Sequence, residues 1–497
     1  MGKQREGLKL AATAAAMAAV LLMPPQPGLS AEGQRVLSIV AAAVVLWATE
    51  AVPVALSSLS VIVLLMVMGG LKSPSDALVG FSSPIIYFLL GSMAMGAAVM
   101  KSGLAERLAG YLVHRSEGSP IKLLAQLLAG MPLMAFVMPS AINRNAMLIP
   151  AYDHAFRTLS INKRDPLAKV ITLTLGLLNP FASSALMTGG LAPMTTSTLL
   201  GGFTWFRWFG MMAVPYYTLL ALGGAMVYLM YRPAGTRGQR DRETRGRGEM
   251  SGEKPSPLPS TKGRGSSQLS ASLCPPVSAS PRQPLSRDER LTLLVVAGAS
   301  LLWLTDFVHH WNSAVPALMA AVVLMAPGIG IFTWSQFEKT AGWATFFVLG
   351  ASLSLTQSLI ATGAASWFAH GLMGLVGTGS TSPALLALFV ILVTTVVHLG
   401  IPNMSACIAL LIPVVTAFAG VTGISPVGAG LIVGIVVDAV ILYPVQTATN
   451  LLAYETGHFD AADVLKVGLG MLVLTTAVVL LVAIPWWGVM GLPFAVR

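Results

Sequence analysis

The sequence predicts an all-α polytopic membrane protein, with about eleven transmembrane helices and two re-entrant hairpins arranged as an inverted structural repeat. Composition is the first observation behind this prediction: 55% of the 497 residues are hydrophobic and only 10% are charged, whereas a soluble domain has roughly 25% charged residues. The second is a succession of apolar runs near the length of about 20 residues that a helix needs to cross a bilayer. The third is a set of apolar segments that are interrupted by proline and polar residues.

Charge and cysteine content exclude other classes of protein. The formal net charge is +10, but Lys and Arg lie in loops between apolar runs, as expected for cytoplasmic loops rather than for a nucleic-acid-binding face. We therefore expect no nucleic-acid partner. Cys274 and Cys407 are the two cysteines, and they predict neither a disulfide framework nor a metal cluster. No cofactor is predicted, and no metal beyond Na⁺ as a coupling ion.

The apolar runs that predict simple transmembrane helices follow one another along the chain. The first belongs to an N-terminal segment, 1–32, and is interpreted as a helix rather than a signal peptide. The reason is that Met23-Pro24-Pro25, which follows it, is a poor cleavage site. The runs lie at about 8–23, 34–50, 53–70, 83–100, 166–190, 207–231, 290–306, 313–328, 343–360, 428–454 and 465–490.

Two further apolar stretches, at about 122–158 and 383–420, have a proline and polar cluster at their centre. Because they are too long and too polar to be single spans, we predict re-entrant hairpins that enter and leave by the same face. With the N-terminus inside and both hairpins non-crossing, the predicted outer loops at 306–313, 361–383 and 419–428 contain no Lys or Arg. This distribution favours an external C-terminus.

The chain divides at a segment, 232–289, that is rich in Ser, Pro, Gly and Arg and lacks apolar periodicity, which predicts a disordered cytoplasmic linker. The halves on either side, 33–231 and 290–497, resemble each other: LWATE at 46–50 matches LWLTD at 302–306, and the two hairpins match in order. An odd number of predicted crossings separates matching segments, so the halves are predicted to be inverted. Inverted repeats with interrupted helices are typical of secondary transporters with a site near the bilayer midplane.

Each half also contains a broken helix, with PVQTATN at 444–450 matching TGGLAPMTT at 188–196. Proline removes a backbone donor, and carbonyls freed at membrane depth must find partners in protein or in a polar cavity. A broken helix of this kind, with hydroxyls and amides at the break, is a common ion site in transporters. The alternative is a proline kink whose polar side chains only satisfy the backbone.

Polar residues at these breaks and hairpin tips are the candidate binding groups. Helix N-termini at the tips favour anions, although the same side chains are also suited to capping the half-helices. Oxygens at the broken helices are able to bind a cation or to contact a carboxylate. The predicted substrate-binding residues are Ser140, Asn143, Arg144, Asn403, Ser405, Thr447, Thr449 and Asn450, and the predicted cation-binding or coupling residues are Ser140, Thr195, Thr196, Asn403, Thr447, Asn450 and Asp438.

Arg144 and Asp438 are the two charged candidates, because ionisable groups inside a membrane are costly and usually functional. A guanidinium matches a carboxylate in a two-pronged geometry, which makes Arg144 a predicted substrate contact. Asp438 is a predicted carrier of a coupling proton. The alternative for both is an internal ion pair with each other. Glu50 and Asp306, which match in the repeat, are predicted to be structural.

Four motifs together resemble a known family. They lie at 46–53 (LWATEAVP), 88–103, 139–144 (PSAINR) and 444–450 (PVQTATN), the last followed by Gly457-His458. The family that they resemble is the divalent anion/sodium symporter family, within the broader ion transporter superfamily. The resemblance implies a homodimer in which each protomer has a scaffold domain and a transport domain that moves as an elevator. It also implies that the hairpin tips and broken helices hold a dicarboxylate, tricarboxylate or sulfate-like anion, with cations beside it.

The chain departs from the family pattern at the hairpin tips. The family has Ser-Asn-Thr at each tip, whereas this chain has Ser140-Ala141-Ile142 in one half and Asn403-Met404-Ser405 in the other. The choice of anion and the choice between Na⁺ and H⁺ as the coupling ion therefore stay open.

The function predicted from all of these features is cation-coupled secondary transport of a divalent or organic anion, in a bacterial inner membrane. An anion exchanger, an arsenite or cation transporter of the same superfamily, and a non-transporting membrane sensor are the alternatives. An enzyme is not predicted, because no acidic residues and histidines converge at one membrane face.

Overall fold

The computed structural model describes residues 2–49, 51–68, 73–104, 107, 120–138, 140–158, 161–231, 284–376, 382–401 and 403–496. These residues form helices joined by short connections, and no β-strand occurs among them. The predicted all-α polytopic class is confirmed. Within the described ranges, 8 helices are long and apolar enough to cross a membrane, judged by length and composition. Shorter apolar helices add to these, so the total of about eleven crossings stays a prediction.

The first half is a continuous series of helices. Most agree closely with the apolar runs, because a run of apolar side chains is a local property that the sequence displays directly. The helix Pro166–Ser184 contains a π-helical turn, Thr174–Leu178. The helices are Gly2–Leu21, Ala31–Thr49, Val54–Met68, Pro74–Ala77, Pro84–Ser102, Pro120–Val137, Ala141–Thr158, Pro166–Ser184, Leu191–Leu199 and Trp205–Met230.

The second half differs from the sequence prediction at two places. A helix, Ala364–Val376, occupies much of the predicted outer loop 361–383. Another begins at Arg287, inside the predicted linker 232–289, of which 232–283 lie outside the described residues. The helices are Arg287–Leu304, Asp306–His309, Ala314–Met325, Trp334–Thr340, Trp343–Ala361, Ala364–Val376, Pro383–Gly400, Met404–Thr422, Pro426–Ala439, Ala448–Tyr454 and Ala461–Val489.

A capping box and an ion pair explain why the helix starts at Arg287. The Ser286 hydroxyl accepts a hydrogen bond from the Glu289 backbone N–H, and the Glu289 carboxylate accepts one from the Ser286 N–H. Arg107, from the first half, donates from Nε to Glu289 Oε1 over 2.8 Å. The cap and the ion pair therefore order the end of the predicted linker.

The same sequence of elements occurs once in each half. The first helix pair, Pro120–Val137 and Ala141–Thr158, is followed by the first broken helix, which is Pro166–Ser184, a 3₁₀ turn and Leu191–Leu199. The second helix pair, Pro383–Gly400 and Met404–Thr422, is followed by the second broken helix, which is Pro426–Ala439, a 3₁₀ turn and Ala448–Tyr454. This order agrees with a repeat, whose inverted orientation stays a prediction.

The two halves interlock through these elements. The last segment of the first broken helix, Leu191–Leu199, packs against Met404–Thr422 of the second helix pair. The last segment of the second broken helix, Ala448–Tyr454, packs against Ala141–Thr158 of the first helix pair. Each helix pair therefore meets the broken helix of the other half, which brings the predicted site residues of both halves into the same part of the molecule.

Candidate functional site

The polar residues at the second break first satisfy its own backbone. Gln446 Oε1 accepts a hydrogen bond from the Leu442 N–H over 2.7 Å, and its Nε2 donates to the Val440 carbonyl over 3.2 Å. Asn450 Nδ2 donates to the Pro444 carbonyl over 3.1 Å. Gln446 and Asn450 therefore form hydrogen bonds with backbone groups that the break leaves without helical partners. This is the role that the alternative interpretation, a proline kink, predicted.

Three of the predicted site residues cap helices. The side-chain oxygens of Ser140, Asn403 and Thr447 each accept a hydrogen bond from a backbone N–H three residues further on. Such a bond satisfies one of the unpaired donors in the first turn of a helix. The cap uses only the oxygen as an acceptor, so the Ser140 hydroxyl hydrogen and the Asn403 amide hydrogens are still able to donate to an anion.

Four other predicted residues have buried oxygens without a hydrogen-bond partner among the described residues. These atoms are Thr195 Oγ1, Thr196 Oγ1, Ser405 Oγ and Asn450 Oδ1. Leaving such an atom unpaired costs roughly 1–3 kcal/mol, so each of them is expected to have a contact that another group supplies. Neutral hydroxyl and amide oxygens are ligands that a hard cation accepts. The chemistry of each of these oxygens is therefore suited to a cation such as Na⁺.

Small residues let these side chains approach the broken helices closely. A Cβ placed on Gly434, in Pro426–Ala439, would lie 2.9 Å from Thr196 Oγ1. A Cβ on Gly176, in the π-helical turn, would lie 2.9 Å from Asn450 Oδ1. These separations are shorter than normal contacts of a Cβ, so a larger residue at either position would displace the threonine or the asparagine.

Arg144 is fully buried, with 0% of its surface exposed. Its Nε donates to Asn179 Oδ1 over 2.9 Å, one terminal nitrogen donates to the Met138 carbonyl over 2.7 Å, and the other donates to the Asn179 carbonyl over 3.0 Å. The guanidinium thus joins the tip of the first helix pair to the first broken helix. Between Arg144 and Asp438, both of which are described, there is no ion pair.

Asn145 and Asn179, neither of which is among the predicted site residues, connect three elements. Asn145 Nδ2 donates to the Leu175 carbonyl over 2.9 Å and to the Thr449 carbonyl over 3.1 Å, and its Oδ1 accepts from Asn179 Nδ2 over 2.6 Å. Both side chains are fully buried. The available signal in the sequence was an asparagine inside an apolar segment, once next to Arg144 and once before Pro180. The spacing of the two asparagines does not reveal that their side chains pair with each other.

The π-helical turn explains why the Leu175 carbonyl needs Asn145. In a π turn a carbonyl pairs with the N–H five residues later, and the residue five positions after Leu175 is Pro180, which has no N–H. The Asn145 amide supplies the missing donor. Pro180 therefore leaves a backbone carbonyl of the π-helical turn without its helical donor, and a side chain of the first helix pair supplies the hydrogen bond.

Asp438 is also buried, at 1% exposed, near the end of Pro426–Ala439. The Tyr216 hydroxyl donates to its Oδ2 over 2.8 Å. Tyr216 lies in Trp205–Met230, so this carboxyl links the second broken helix to that helix.

The remaining predicted residues have local partners. Thr449 Oγ1 lies 3.2 Å from Thr447 Oγ1, and the Asn143 amide faces helix Pro84–Ser102, where a Cβ on Gly96 would lie 3.0 Å from Asn143 Nδ2. Asp306 accepts a hydrogen bond from the Trp205 backbone N–H at the start of Trp205–Met230, which is a structural contact. Glu50 lies outside the described residues.

Helix pairs that meet interrupted helices are typical of membrane transporters. The chain belongs to the family described as the sodium:sulfate symporter transmembrane region, whose model matches residues 4–492. This membership confirms the family that the four motifs predicted. It makes the protein a secondary transporter of sulfate- or dicarboxylate-type anions.

Individual relatives are similar over most of the chain, and a solved structure is similar in fold. A membrane protein from Cupriavidus necator is 25% identical over 97% of this chain and 92% of its own length. The L-tartrate/succinate antiporter of Escherichia coli is 24% identical over 80% of this chain and 77% of its own length. The crystal structure of the Alcanivorax borkumensis YdaH transporter is similar in fold, with a TM-score of 0.51 and 16% identity over 84% of this chain and 88% of that chain.

The bacterial relatives indicate a multi-pass protein of the bacterial inner membrane. The predicted location agrees with them.

Proposed function

We propose that the protein carries a dicarboxylate, tricarboxylate or sulfate-like anion together with Na⁺ or H⁺, through a site between the two helix pairs and the two broken helices. The observation that carries this proposal is the set of buried oxygens on Thr195, Thr196, Ser405 and Asn450 that have no partner among the described residues. A folded protein tolerates such atoms where a ligand completes them. Their chemistry fits the cation, and the helix N-termini beside them fit the anion.

The anion would bind where helices present their N-termini. Ala141–Thr158, Leu191–Leu199 and Met404–Thr422 each begin at a break that the site residues occupy. Backbone N–H groups in a first helical turn and the helix dipole both favour negative charge. Ser140, Asn143 and Asn403 add side-chain donors at two of these starts.

Coupling would follow from the pairing of anion and cation within one buried site. A dianion alone would be costly to move through the low-dielectric interior, whereas a dianion neutralised by a nearby cation costs less. Asp438 offers a second route, because a carboxyl that gains and loses a proton changes the charge of the moving site by one unit. We further propose a homodimer and an elevator movement in which the helix pairs and broken helices move together as the transport domain.

Transport by purified protein in liposomes tests this proposal. Vesicles would be loaded with succinate, citrate, tartrate or sulfate in turn, and uptake of the labelled anion would be measured under an imposed Na⁺ gradient, an imposed proton gradient, or neither. We expect uptake of at least one of these anions that depends on a cation gradient. Absence of transport for every anion under every gradient would contradict the proposal.

Anion exchange is the second candidate. The buried guanidinium of Arg144 favours it, because a permanent positive charge is costly to move through the membrane when no anion accompanies it. Exchange would appear in the same vesicles as uptake that requires the unlabelled anion on the opposite side.

A further inference from the structure

We propose that the start of the helix Arg287–Leu304 is a binding site for an anionic phospholipid, whose phosphate contacts Arg287 and Arg290 and whose acyl chains lie along the leucines that follow them. The ligand comes from the surrounding bilayer. The site is separate from the buried oxygens at the breaks, so the proposal does not depend on which anion the protein transports.

A groove of about 480 Å³ opens at this end of the helix. Its volume lies in the range of roughly 300–1,000 Å³ that is usual for small-molecule sites. One wall is the first two turns of the helix, and Ile329, in the connection that follows Ala314–Met325, lies on the other. The lining combines positive charge with apolar surface, and it consists of Arg287, Arg290, Leu285, Leu291, Leu294 and Ile329.

The two arginines are placed to share one anion. They are three positions apart, so they project from the same face of the helix. One terminal nitrogen of Arg287 donates to the Gly328 carbonyl over 3.0 Å, which holds this side chain beside the second wall of the groove. The Arg290 side chain has no hydrogen bond or ion pair with any residue that the structure describes. A guanidinium has five N–H donors, so both side chains keep donors for phosphate oxygens.

The two acidic residues between these arginines do not neutralise them. Glu289 is buried and forms a two-pronged ion pair with Arg107, in which Nε lies 2.8 Å from Oε1 and a terminal nitrogen lies 3.2 Å from Oε2. Asp288 is exposed and has no ion pair within the described ranges, and side chains one or two positions apart do not face each other on a helix. The groove therefore keeps a positive charge that an anionic head group complements.

The apolar face beyond the arginines favours a lipid over a free anion. Leu294 is 71% exposed, and Leu301, two turns further along the same face, is 62% exposed. The opposite face, which includes Thr292, Val296 and Trp303, is buried. Exposed apolar surface of this kind marks contact with a membrane or a partner. The helix start belongs to a predicted cytoplasmic segment, and basic pockets on that side of a membrane protein bind anionic lipid head groups.

The melting temperature of the purified full-length protein measures lipid binding, because a ligand that binds only the folded state stabilises it. In a non-ionic detergent, dioleoylphosphatidylglycerol would replace dioleoylphosphatidylcholine at constant total lipid. We expect a saturable rise with phosphatidylglycerol. For Arg287→Gln/Arg290→Gln the half-saturating concentration should increase about tenfold or more, because the phosphate loses its charged donors. The matched control is Lys163→Gln/Arg164→Gln, which removes the same charge from exposed side chains elsewhere and should respond as the native protein does.

The apolar part of the site and the source of the phosphate are tested separately. Leu294→Ser, which changes the lining, should weaken the response to phosphatidylglycerol. Leu293→Ser changes a neighbouring exposed leucine outside the lining and should not weaken it. Glycerol 3-phosphate and inorganic phosphate, which supply the phosphate without acyl chains, should give no rise at the same concentrations.

An unchanged phosphatidylglycerol response in the double arginine variant would overturn the inference. If that variant fails to fold, the native protein decides, because an equal rise with both lipids also overturns it. A rise with free phosphate that matches the lipid would assign the groove to a soluble anion instead. An unchanged lipid response together with a changed oligomeric mass of the variant, measured by light scattering, would assign this face to a second copy of the chain. These outcomes do not involve transport, so they are distinct from failure of the proposed function.

Discussion

Replacing Asn145 with alanine would remove the side chain that ties the first helix pair to both broken helices. Three hydrogen bonds would be lost, to the Leu175 carbonyl, the Thr449 carbonyl and the Asn179 amide. Hydrogen bonds between membrane helices contribute about 0.6 kcal/mol on average and up to about 1.7 kcal/mol each. Three of them therefore give an expected loss of roughly 2–5 kcal/mol in the free energy of unfolding.

Unfolding of the purified protein in detergent, by heat or by titration with a denaturing detergent, measures this loss. Asn162→Ala is the matched control, because Asn162 has an exposed side chain in a connecting segment, and a change there is expected to stay within about 0.5 kcal/mol. Asn145→Asp should destabilise at least as much as Asn145→Ala, since it keeps an acceptor for Asn179 but turns an oxygen towards the two carbonyls that Nδ2 contacts. If Asn145→Ala is no more destabilising than Asn162→Ala, the network does not join these helices energetically.

Three further predictions concern other parts of the molecule. Asp438→Asn keeps the shape of the side chain but cannot carry a coupling proton, so anion uptake should lose its pH dependence; an unchanged pH profile would exclude coupling through this carboxyl. Gly189→Ala should abolish folding or transport, because a Cβ there would overlap a backbone carbonyl at the break, whereas Gly298→Ala, with open space around it, should be neutral or stabilising in a thermal melt. A hydrogen bond to Asp153 raises the pKa of His458 above its ordinary 6.5, so this pair stabilises fully below pH 6.5 and less as the pH rises through the raised pKa. The melting temperature should therefore fall above pH 6.5, and Asp153→Asn should reduce that slope; equal slopes in both proteins would contradict the assignment.

Local properties of the chain were enough to predict the class of protein and the order of its elements. Apolar runs, prolines within them and the motifs at the breaks are visible along the sequence, and each depends on neighbours a few positions away. The break at Pro444 is present as predicted, with a 3₁₀ turn at Pro444–Gln446. The helix Ala364–Val376 was missed because polar and glycine residues interrupt its apolar positions, which resembles a loop in sequence.

The partners of the buried polar groups were decided by the tertiary structure. Asn145 meets Thr449 from a position 304 residues earlier in the chain, and His458 meets Asp153 across 305 residues. The Gly457-His458 motif thus has a structural explanation that its sequence does not show. Hydrogen-bond partners at this separation depend on how the two halves pack, and no spacing rule contains that information.

Arg144 shows most clearly which properties the sequence determined and which the tertiary structure decided. The sequence by itself determined that a permanently charged residue stands at the tip of an apolar helix pair, because composition and position alone show it. The sequence equally allowed a substrate contact, an ion pair with Asp438 or an internal role. Only the tertiary structure turns the guanidinium towards Met138 and Asn179, since the orientation of a buried side chain depends on which oxygens the surrounding helices bring within reach.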